Sequence, residues 1–241
     1  MVTLKMAIIF LMEQIRTPFS LIWTIMSPTV LFFFLHFNEI ELHYGDTAWL
    51  GKQISWFVGY ISFSVVLFNY CLYLVGRRES GFIATFVHNM DGRLLFIRSQ
   101  LIASLIMSIL YVFFFILVVL TGFQASPDYQ IVMIILKSIY INAFMMVSLT
   151  FMASFRVTFQ TASTIYSVLI TVCMVSGIVS LKYNEGIFYW INQVNPIAIY
   201  STILQSDQEL SLMTIFFYSI MLIISIISAL TFKTEPVWSS Q

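Results

Sequence analysis

Long apolar stretches separated by short polar segments make up most of this sequence. Six of the stretches are long enough, at about 1.5 Å per helical residue, to cross a hydrocarbon core of about 30 Å. They are predicted as membrane spans at residues 19–37, 55–75, 100–121, 131–154, 161–181 and 210–232. The pattern therefore predicts an all-α integral membrane protein, with six transmembrane helices in a single transmembrane domain over residues 1–241.

A different pattern precedes the first predicted span. Between Leu4 and Ile15 apolar residues recur at helical spacing, while Lys5 and Glu13 lie on other faces. The apolar positions are Leu4, Ala7, Ile8, Leu11, Met12 and Ile15. Such a helix lies in the plane of a membrane surface. Residues 3–18 are therefore predicted as an amphipathic interfacial helix that Pro18 ends or kinks.

Three polar segments separate the spans. Residues 38–52 are predicted as a loop, and residues 182–209 form a longer polar and aromatic segment before the last span. Residues 77–98 carry the most charge. Within that segment, one face of a short helix is predicted to contain Phe82, Ile83, Phe86 and Val87, with residues 88–92 as the turn that ends it.

The composition agrees with lipid as the main solvent. Hydrophobic residues make up 60% of the chain and charged residues only 9%, whereas soluble domains are about 25% charged. The formal net charge is zero, so no overall basic field attracts nucleic acid.

The positive charges lie mostly on one side of the predicted bundle. Eight of the 11 Lys and Arg residues fall on the side of the termini: Lys5, Arg16, Arg77, Arg78, Arg93, Arg98, Arg156 and Lys233. Only Lys52 and Lys182 fall on the other side, and Lys137 lies inside a span. Since cytoplasmic loops carry the excess of Lys and Arg, both termini are predicted to be cytoplasmic. The chain is expected in the cell membrane, as a multi-pass protein.

The sequence lacks the motifs of the common catalytic and metal sites. Cys71 and Cys173 lie in apolar stretches without a Cys-x-x-Cys motif, and His36 and His43 lack the third ligand that a metal would require. No Gly-x-x-x-x-Gly-Lys-Ser/Thr phosphate loop is present. No metal site, no catalytic residue and no ATP site are predicted for this chain, which is not expected to be an enzyme.

Three polar residues inside the spans are weak candidates for a substrate pathway. Lys137 either faces a central cavity and binds an anionic part of the substrate, or extends its stem to the outer headgroups near Asp128. A charge at that depth costs about 2 kcal/mol or more without water or a partner. Asn69 and Asn142 either form hydrogen bonds between helices or contact substrate.

Three local motifs resemble one known family, the type-2 permeases of ATP-binding-cassette (ABC) transporters. Residues 13–23, Glu-Gln-Ile-Arg-Thr-Pro-Phe-Ser-Leu-Ile-Trp, resemble its N-terminal motif, and residues 77–81, Arg-Arg-Glu-Ser-Gly, resemble the element that opens its coupling helix. Residues 195–200, Asn-Pro-Ile-Ala-Ile-Tyr, resemble the stretch before its last span. The family's Thr-Pro near the end of the coupling helix is absent, since residues 88–91 read His-Asn-Met-Asp.

The resemblance implies a permease subunit of an exporter. In that family two permeases, identical or homologous, pair with two ATPase subunits, and ATP and magnesium are bound by the ATPases. The implied cargo is amphipathic or hydrophobic: an antibiotic, a toxic peptide or a lipid-linked molecule. Residues 182–209 would form an outer re-entrant segment. The residues implied to couple to the ATPase are Arg77, Arg78, Glu79, Phe82, Ile83, Phe86 and Arg93.

Other interpretations of these residues and of the chain stay open. Arg77, Arg78 and Arg93 could instead contact anionic lipid, and Glu79 could stabilise a helix N-terminus. The chain could be a membrane anchor of an ATPase that senses or protects without transporting. A channel or secondary transporter is the third possibility, against which the scarcity of carboxylates in the spans counts.

Overall fold

The computed structural model describes residues 2–16, 18–83, 90–182, 186–205 and 212–232. Within these ranges the chain is helical apart from turns, and none of these residues is in a strand. The helices are α1 Val2–Ile15, α2 Pro18–Leu35, α3 Thr47–Glu79, α4 Met90–Gly122, α5 Tyr129–Ser154, α6 Phe159–Lys182, α7 Ile187–Val194, α8 Pro196–Leu204 and α9 Leu212–Leu230. The all-α prediction is confirmed.

Four helices, α3, α4, α5 and α6, are long and apolar enough to cross a membrane. Each of these helices contains one of the long apolar runs of the sequence and few charged residues. Shorter apolar helices, Thr24–Leu35 and Thr214–Leu230, lie within α2 and α9. The chain therefore has the architecture of a membrane protein.

The helices place two chemically different groups of residues at opposite ends. At one end, α3 finishes at Glu79, α4 begins at Met90, and α5 passes to α6 close to Arg78. This arginine end carries Arg77, Arg78 and Arg93. At the other end, which we call the carboxylate end, lie Glu39, Asp46 and Asp128. The two connections there touch, because Gly45 N–H donates to the Phe123 carbonyl at 3.1 Å.

Aromatic side chains fill the core near the carboxylate end. Phe32 of α2 lies 5.0 Å from Phe57 of α3 and 5.8 Å from Phe115 of α4, measured between ring centroids. Both pairs meet edge to face, the geometry that the quadrupoles of aromatic rings favour. These contacts fix α2 against the α3–α4 pair.

A π-helical segment, Val65–Leu72, interrupts α3. A π turn widens the helix and shifts its hydrogen bonds, so carbonyl groups become available to other partners. The Asn69 carbonyl accepts hydrogen bonds from Gln100 Nε2 at 2.7 Å and from Ser104 Oγ at 3.0 Å, both on α4. The apolar pattern of this span did not indicate a π segment.

Helix α1 packs on α4 through a few buried residues. They are Ala7, Phe10 and Gln14, whereas Ile8 and Met12 of the predicted apolar face are exposed. Phe10 meets Phe96 of α4 edge to face, with ring centroids 5.5 Å apart. The predicted contact of the apolar face with a membrane surface stays a prediction.

Two predicted segment boundaries were wrong. Met90, Asp91 and Gly92 do not end a helix but form the first turn of α4, since Asp91 is an acidic residue favourable at a helix N-terminus. The predicted loop at residues 38–52 is also too long, because Asp46 caps α3 and the helix includes Thr47–Lys52.

Candidate functional site

The side chain of Arg78 is buried at the arginine end. Only 1% of its surface is exposed. Its Nη1 donates to the Ala153 carbonyl at 3.1 Å, and its Nη2 donates to the Val157 carbonyl at 2.9 Å. Arg78 thus links the end of α3 to the turn between α5 and α6, where a cation is favourable beside the last carbonyls of α5.

Glu79 provides the counter-charge of this site. Its Oε1 lies 3.5 Å from Arg78 Nε, within ion-pair distance. Both side chains are largely enclosed, at 1% exposed for Arg78 and 13% for Glu79. A soluble partner could not contact the Arg78 guanidinium in this arrangement. The structure instead assigns Arg78 a bridging position inside the chain.

Arg77 connects α3 to α1. It forms an ion pair with Glu13, and its Nη2 donates to the Tyr73 hydroxyl at 2.8 Å. The Tyr73 hydroxyl in turn donates to Glu13 Oε2 at 2.7 Å. The guanidinium carbon also lies 4.8 Å from the centre of the Phe82 ring, within cation–π range. Glu13 of the N-terminal motif and Arg77 of the charged segment therefore meet, although 64 residues separate them.

The other predicted coupling residues are less closely grouped. Arg93 Nη1 donates to the Leu230 carbonyl at 3.2 Å, at the last residue of α9. Ile83 is buried and Phe82 half-buried, so neither presents a large free surface. Phe86 lies outside the described residues, as do residues 84–89 around it.

A hydroxyl-lined groove lies between α2, α3 and α6. Its volume is about 470 Å³. Six of its lining residues carry hydroxyl groups: Thr24, Ser27, Tyr60, Ser64, Ser167 and Thr171. On α3 the lining runs from Tyr60 to Leu72, which is about 18 Å at 1.5 Å per residue. The groove therefore extends from the middle of the apolar helices toward the arginine end.

The hydroxyls of α6 are exposed as well as polar. Ser167 Oγ donates to the Ser163 carbonyl and Thr171 Oγ1 to the Ser167 carbonyl, both at 2.8 Å. These bonds use the hydroxyl hydrogens, so the oxygen lone pairs remain able to accept from water or a ligand. Hydrocarbon chains contain no hydrogen-bond donor for these lone pairs.

Pro28 faces the same groove from α2, where its missing N–H removes one helical hydrogen bond.

Helices α7 and α8 are joined by a sharp bend at Asn195. Asn195 lies at the bend and caps α8, because its Oδ1 accepts from Ile197 N–H at 3.0 Å. Its Nδ2 donates to the Cys173 carbonyl of α6 at 2.8 Å. Beyond the bend, α8 packs closely on α3: a Cβ on Gly59 would lie 2.8 Å from Tyr200 Cβ. Only glycine at position 59 allows this contact.

The bend lies well inside the span region. Gly59 is the twelfth residue after Thr47, which places the contact about 18 Å along α3 from the carboxylate end. The far end of α8 returns toward that end, since Gln205 Nε2 donates to the Lys52 carbonyl at 3.3 Å. The Asn-Pro motif at residues 195–196 explains the geometry, because Asn favours a helix cap and Pro the first helical turn.

The structure places Asn69 and Asn142 in hydrogen bonds between helices. Asn69 Nδ2 donates to the Tyr111 hydroxyl at 3.3 Å. Asn142 Nδ2 donates to Ser108 Oγ at 2.8 Å, and its Oδ1 accepts from the Tyr200 hydroxyl at 2.7 Å. Neither lines the hydroxyl-lined groove. These contacts favour the structural interpretation of both residues over a role in contacting substrate.

Lys137 and the two histidines lie apart from the groove. Lys137 is half-buried on α5, eight residues from Tyr129. Near the carboxylate end, His36 Nδ1 lies 2.6 Å from Glu39 Oε2, and His43 stacks on Trp49 with ring centroids 4.2 Å apart. Within the described ranges, no three His, Cys, Asp or Glu residues are grouped as metal ligands would be.

A comparison with models of known protein families gives no match for this chain.

Proposed function

We propose that this chain is the permease subunit of an ABC exporter, a six-span protein of the cell membrane with both termini in the cytoplasm. In this proposal a second permease, identical or homologous, completes the pathway, and two separate ATPase subunits bind ATP and magnesium. The chain itself binds no cofactor and catalyses no reaction. The cargo is amphipathic or hydrophobic, such as an antibiotic, a toxic peptide or a lipid-linked molecule.

One observation carries the proposal, the hydroxyl-lined groove among otherwise apolar helices. The lone pairs of exposed hydroxyls such as those of Ser167 and Thr171 have no donor to accept from in hydrocarbon. Polar residues at membrane depth usually face protein or a water-filled cavity. A second copy apposed on α2, α3 and α6 would enclose the groove and convert it into a pathway open toward the arginine end.

The arginine end is the proposed contact for the ATPase. Glu13–Arg77 links α1 to α3, Arg78 links α3 to the α5–α6 turn, and Arg93 links α4 to α9. A displacement of residues 77–98 by a partner would therefore reach α1, α3, α4, α9 and the turn between α5 and α6 through contacts that the structure already contains. In this proposal, exposed neighbours of these residues contact the partner. The buried Arg78 transmits the displacement to the other helices.

Cysteine accessibility tests the pathway. In a background where the buried Cys71 and Cys173 are replaced by Ala, Ser64→Cys and Thr171→Cys place one thiol each in the groove. Val168→Cys is the matched control, because Val168 is 58% exposed on the same helix and lies outside the groove. A membrane-impermeant methanethiosulfonate reagent applied at the cytoplasmic face should modify the groove thiols at least tenfold faster than the control.

Two results would count against this function. Equal, slow modification at all three positions would show that the groove contains no water, which contradicts a pathway. If the chain still co-purified with an ATPase in that case, the alternative of a non-transporting anchor would replace the exporter. Modification of the groove in cells that lack any ATPase, together with ion conduction, would instead favour a channel.

A further inference from the structure

A second cavity lies on the opposite side of α6, and it is apolar. Its volume is about 580 Å³. The walls come from α3, α5, α6 and α9, with α7 and the Asn195 bend above, and they include Phe63, Leu149, Val172, Cys173, Trp190 and Met221. Val172 and Trp190 are also more than half exposed. The cavity is therefore open at its side to the surrounding bilayer.

Two polar residues of the cavity wall, Asn195 and Ser176, form hydrogen bonds within the protein. Asn195 Nδ2 donates to the Cys173 carbonyl at 2.8 Å and to Ser176 Oγ at 3.2 Å. Ser176 Oγ donates to the Cys173 carbonyl at 3.2 Å. None of the described side chains that line the cavity has a buried polar atom without a partner. An occupant needs no hydrogen-bonding group, and a polar one would lose its own hydrogen bonds to water.

The height of the cavity fits within one leaflet. On α6 its lining runs from Leu169 to Ser176, seven residues further along the helix. At 1.5 Å per residue this is about 10 Å, less than half of a hydrocarbon core of about 30 Å. An apolar cavity of about 150 Å³ holds one benzene molecule, so a space roughly four times larger accommodates a long alkyl chain.

An exposed cation follows the lower wall of the cavity along the chain. Arg156 lies four residues after Met152, in the non-helical connection between α5 and α6. No ion pair involves Arg156 among the residues that the structure describes. An exposed guanidinium at the level of the headgroups attracts anionic lipid.

We infer that this cavity binds one acyl chain of an anionic phospholipid from the leaflet at the arginine end, with the phosphate of that lipid beside Arg156. The chain would pack beneath the Asn195 bend and support the position of α7 and α8 against α6. This inference rests on the apolar cavity and on the exposed charge of Arg156, and it is independent of whether the chain transports.

Native mass spectrometry of the purified protein tests the site, with phosphatidylglycerol and phosphatidylcholine as the added lipids. The wild-type chain should retain one phosphatidylglycerol after detergent washing. Val172→Trp fills the cavity opening and should lower the lipid-bound fraction at least fivefold. Val168→Trp, at an equally exposed position one turn away and outside the cavity, should leave that fraction unchanged.

The headgroup is tested separately. Arg156→Gln should reduce the preference for phosphatidylglycerol over phosphatidylcholine to about one, whereas Arg98→Gln, an exposed arginine on α4, should retain it. If Val172→Trp does not fold, phosphatidylglycerol brominated on its acyl chain gives a second measurement. Under the same washing it should quench wild-type tryptophan fluorescence more strongly than that of Trp190→Phe.

Several outcomes would overturn the inference. Equal lipid retention by the Val172→Trp and Val168→Trp variants would place the lipid elsewhere. Loss of all lipid from the wild type on washing would show that the cavity contains only exchangeable bilayer lipid and binds none specifically. Retention of an isoprenoid lipid, or of a second protein copy over this face, would assign the cavity to a different occupant.

Discussion

Different kinds of contact stabilise the two ends of the helix bundle. At the arginine end the polar bonds join residues that are distant in sequence: Arg77 to Glu13, Arg78 to Ala153, and Arg93 to Leu230. Arg78 is buried there, so its bonds are protected from water. The three arginines thus link α1 to α3, α3 to the turn between α5 and α6, and α4 to α9, and we call these three sets of contacts together the shared network.

At the carboxylate end the polar bonds are mostly local. His36 pairs with Glu39 and His43 with Asp46, in each case three residues along the chain. The Thr47 hydroxyl donates to Asp128 across two connections, but at 3.4 Å and in an exposed position. Exposed bonds of this kind contribute little. Two longer links at this end, from Gly45 N–H to the Phe123 carbonyl and from Gln205 Nε2 to the Lys52 carbonyl, involve no charged side chain. Most charged side chains here therefore bond within their own connection rather than between helices.

The difference bears on the proposed function. In that proposal, a permease driven from one side needs its driven end to move as a unit and its far end to open. The shared network at the arginine end suits the first requirement, and the local pairs at the carboxylate end suit the second. Substitutions at each end test this contrast.

The largest effect is expected from Arg78→Leu. The substitution removes two hydrogen bonds to carbonyl groups and leaves Glu79 largely buried without its counter-charge. Breaking a buried ion pair by removing one partner costs about 3–5 kcal/mol. Titration with sodium dodecyl sulfate in mixed micelles measures this as a lower free energy of unfolding. Arg156→Leu, an exposed arginine at the same end, should cost less than about 0.5 kcal/mol. Equal effects at both positions would refute the shared network.

A moderate effect is expected from Tyr200→Phe, which acts between the two ends. The hydroxyl of Tyr200 donates to Asn142, and both residues are fully buried, so the variant leaves an amide oxygen unpaired. Such interhelical bonds contribute about 0.6 kcal/mol on average and up to about 1.7 kcal/mol. We expect a loss of about 1 kcal/mol in the same titration. Tyr140→Phe, an exposed tyrosine on α5, is the control and should be neutral.

The main helices could be predicted from the sequence, but the contacts between them could not. A run of about 20 apolar residues determines a helix in lipid whatever its neighbours, so the positions of α3 to α6 follow from composition alone. The start of α8 at Asn195–Pro196 was not predicted, although Asn at a helix cap and Pro in the first turn are local signals of the same kind. These signals come from residues that are close together in the sequence, so they can be recognised without knowledge of the tertiary structure.

The roles of the arginines depend on tertiary contacts that a local pattern does not contain. Arg77 and Arg78 are adjacent in sequence and identical in chemistry, yet one pairs with α1 and the other lies inside the bundle. The π segment at Val65–Leu72 also depends on α4, whose Gln100 and Ser104 satisfy its carbonyl. No periodicity of the apolar residues could have revealed either feature.

A smaller effect is expected from Glu13→Gln at the arginine end. The Glu13–Arg77 pair is partly exposed, with 45% and 22% of the two side chains accessible. Exposed pairs contribute about 0.2–1 kcal/mol and weaken in salt. A double-mutant cycle with Arg77→Gln should give a coupling energy in that range, and the value should fall between 50 mM and 1 M salt. Lys5→Gln on the same helix should show no coupling to Arg77. A coupling energy that does not depend on salt would mean that the pair is more enclosed than the structure shows.

The smallest effect belongs to the carboxylate end, where Asp46 caps α3. Its carboxylate accepts from Trp49 N–H at 3.0 Å and also interacts with His43, and these contacts lower the pKa of Asp46 below its ordinary value of 3.8. A carboxyl group whose pKa is lower in the folded state stabilises that state above the unfolded pKa and loses this contribution as pH falls through the folded pKa. The difference in unfolding free energy between wild type and Asp46→Ala should therefore shrink as the pH falls below 3.8. Asp46→Asn keeps a capping oxygen that does not titrate, so its difference from Asp46→Ala should not change over that range. If the Asp46→Ala difference instead grew on acidification, this end would be held by a titrating contact between distant residues, and the contrast with the arginine end would disappear.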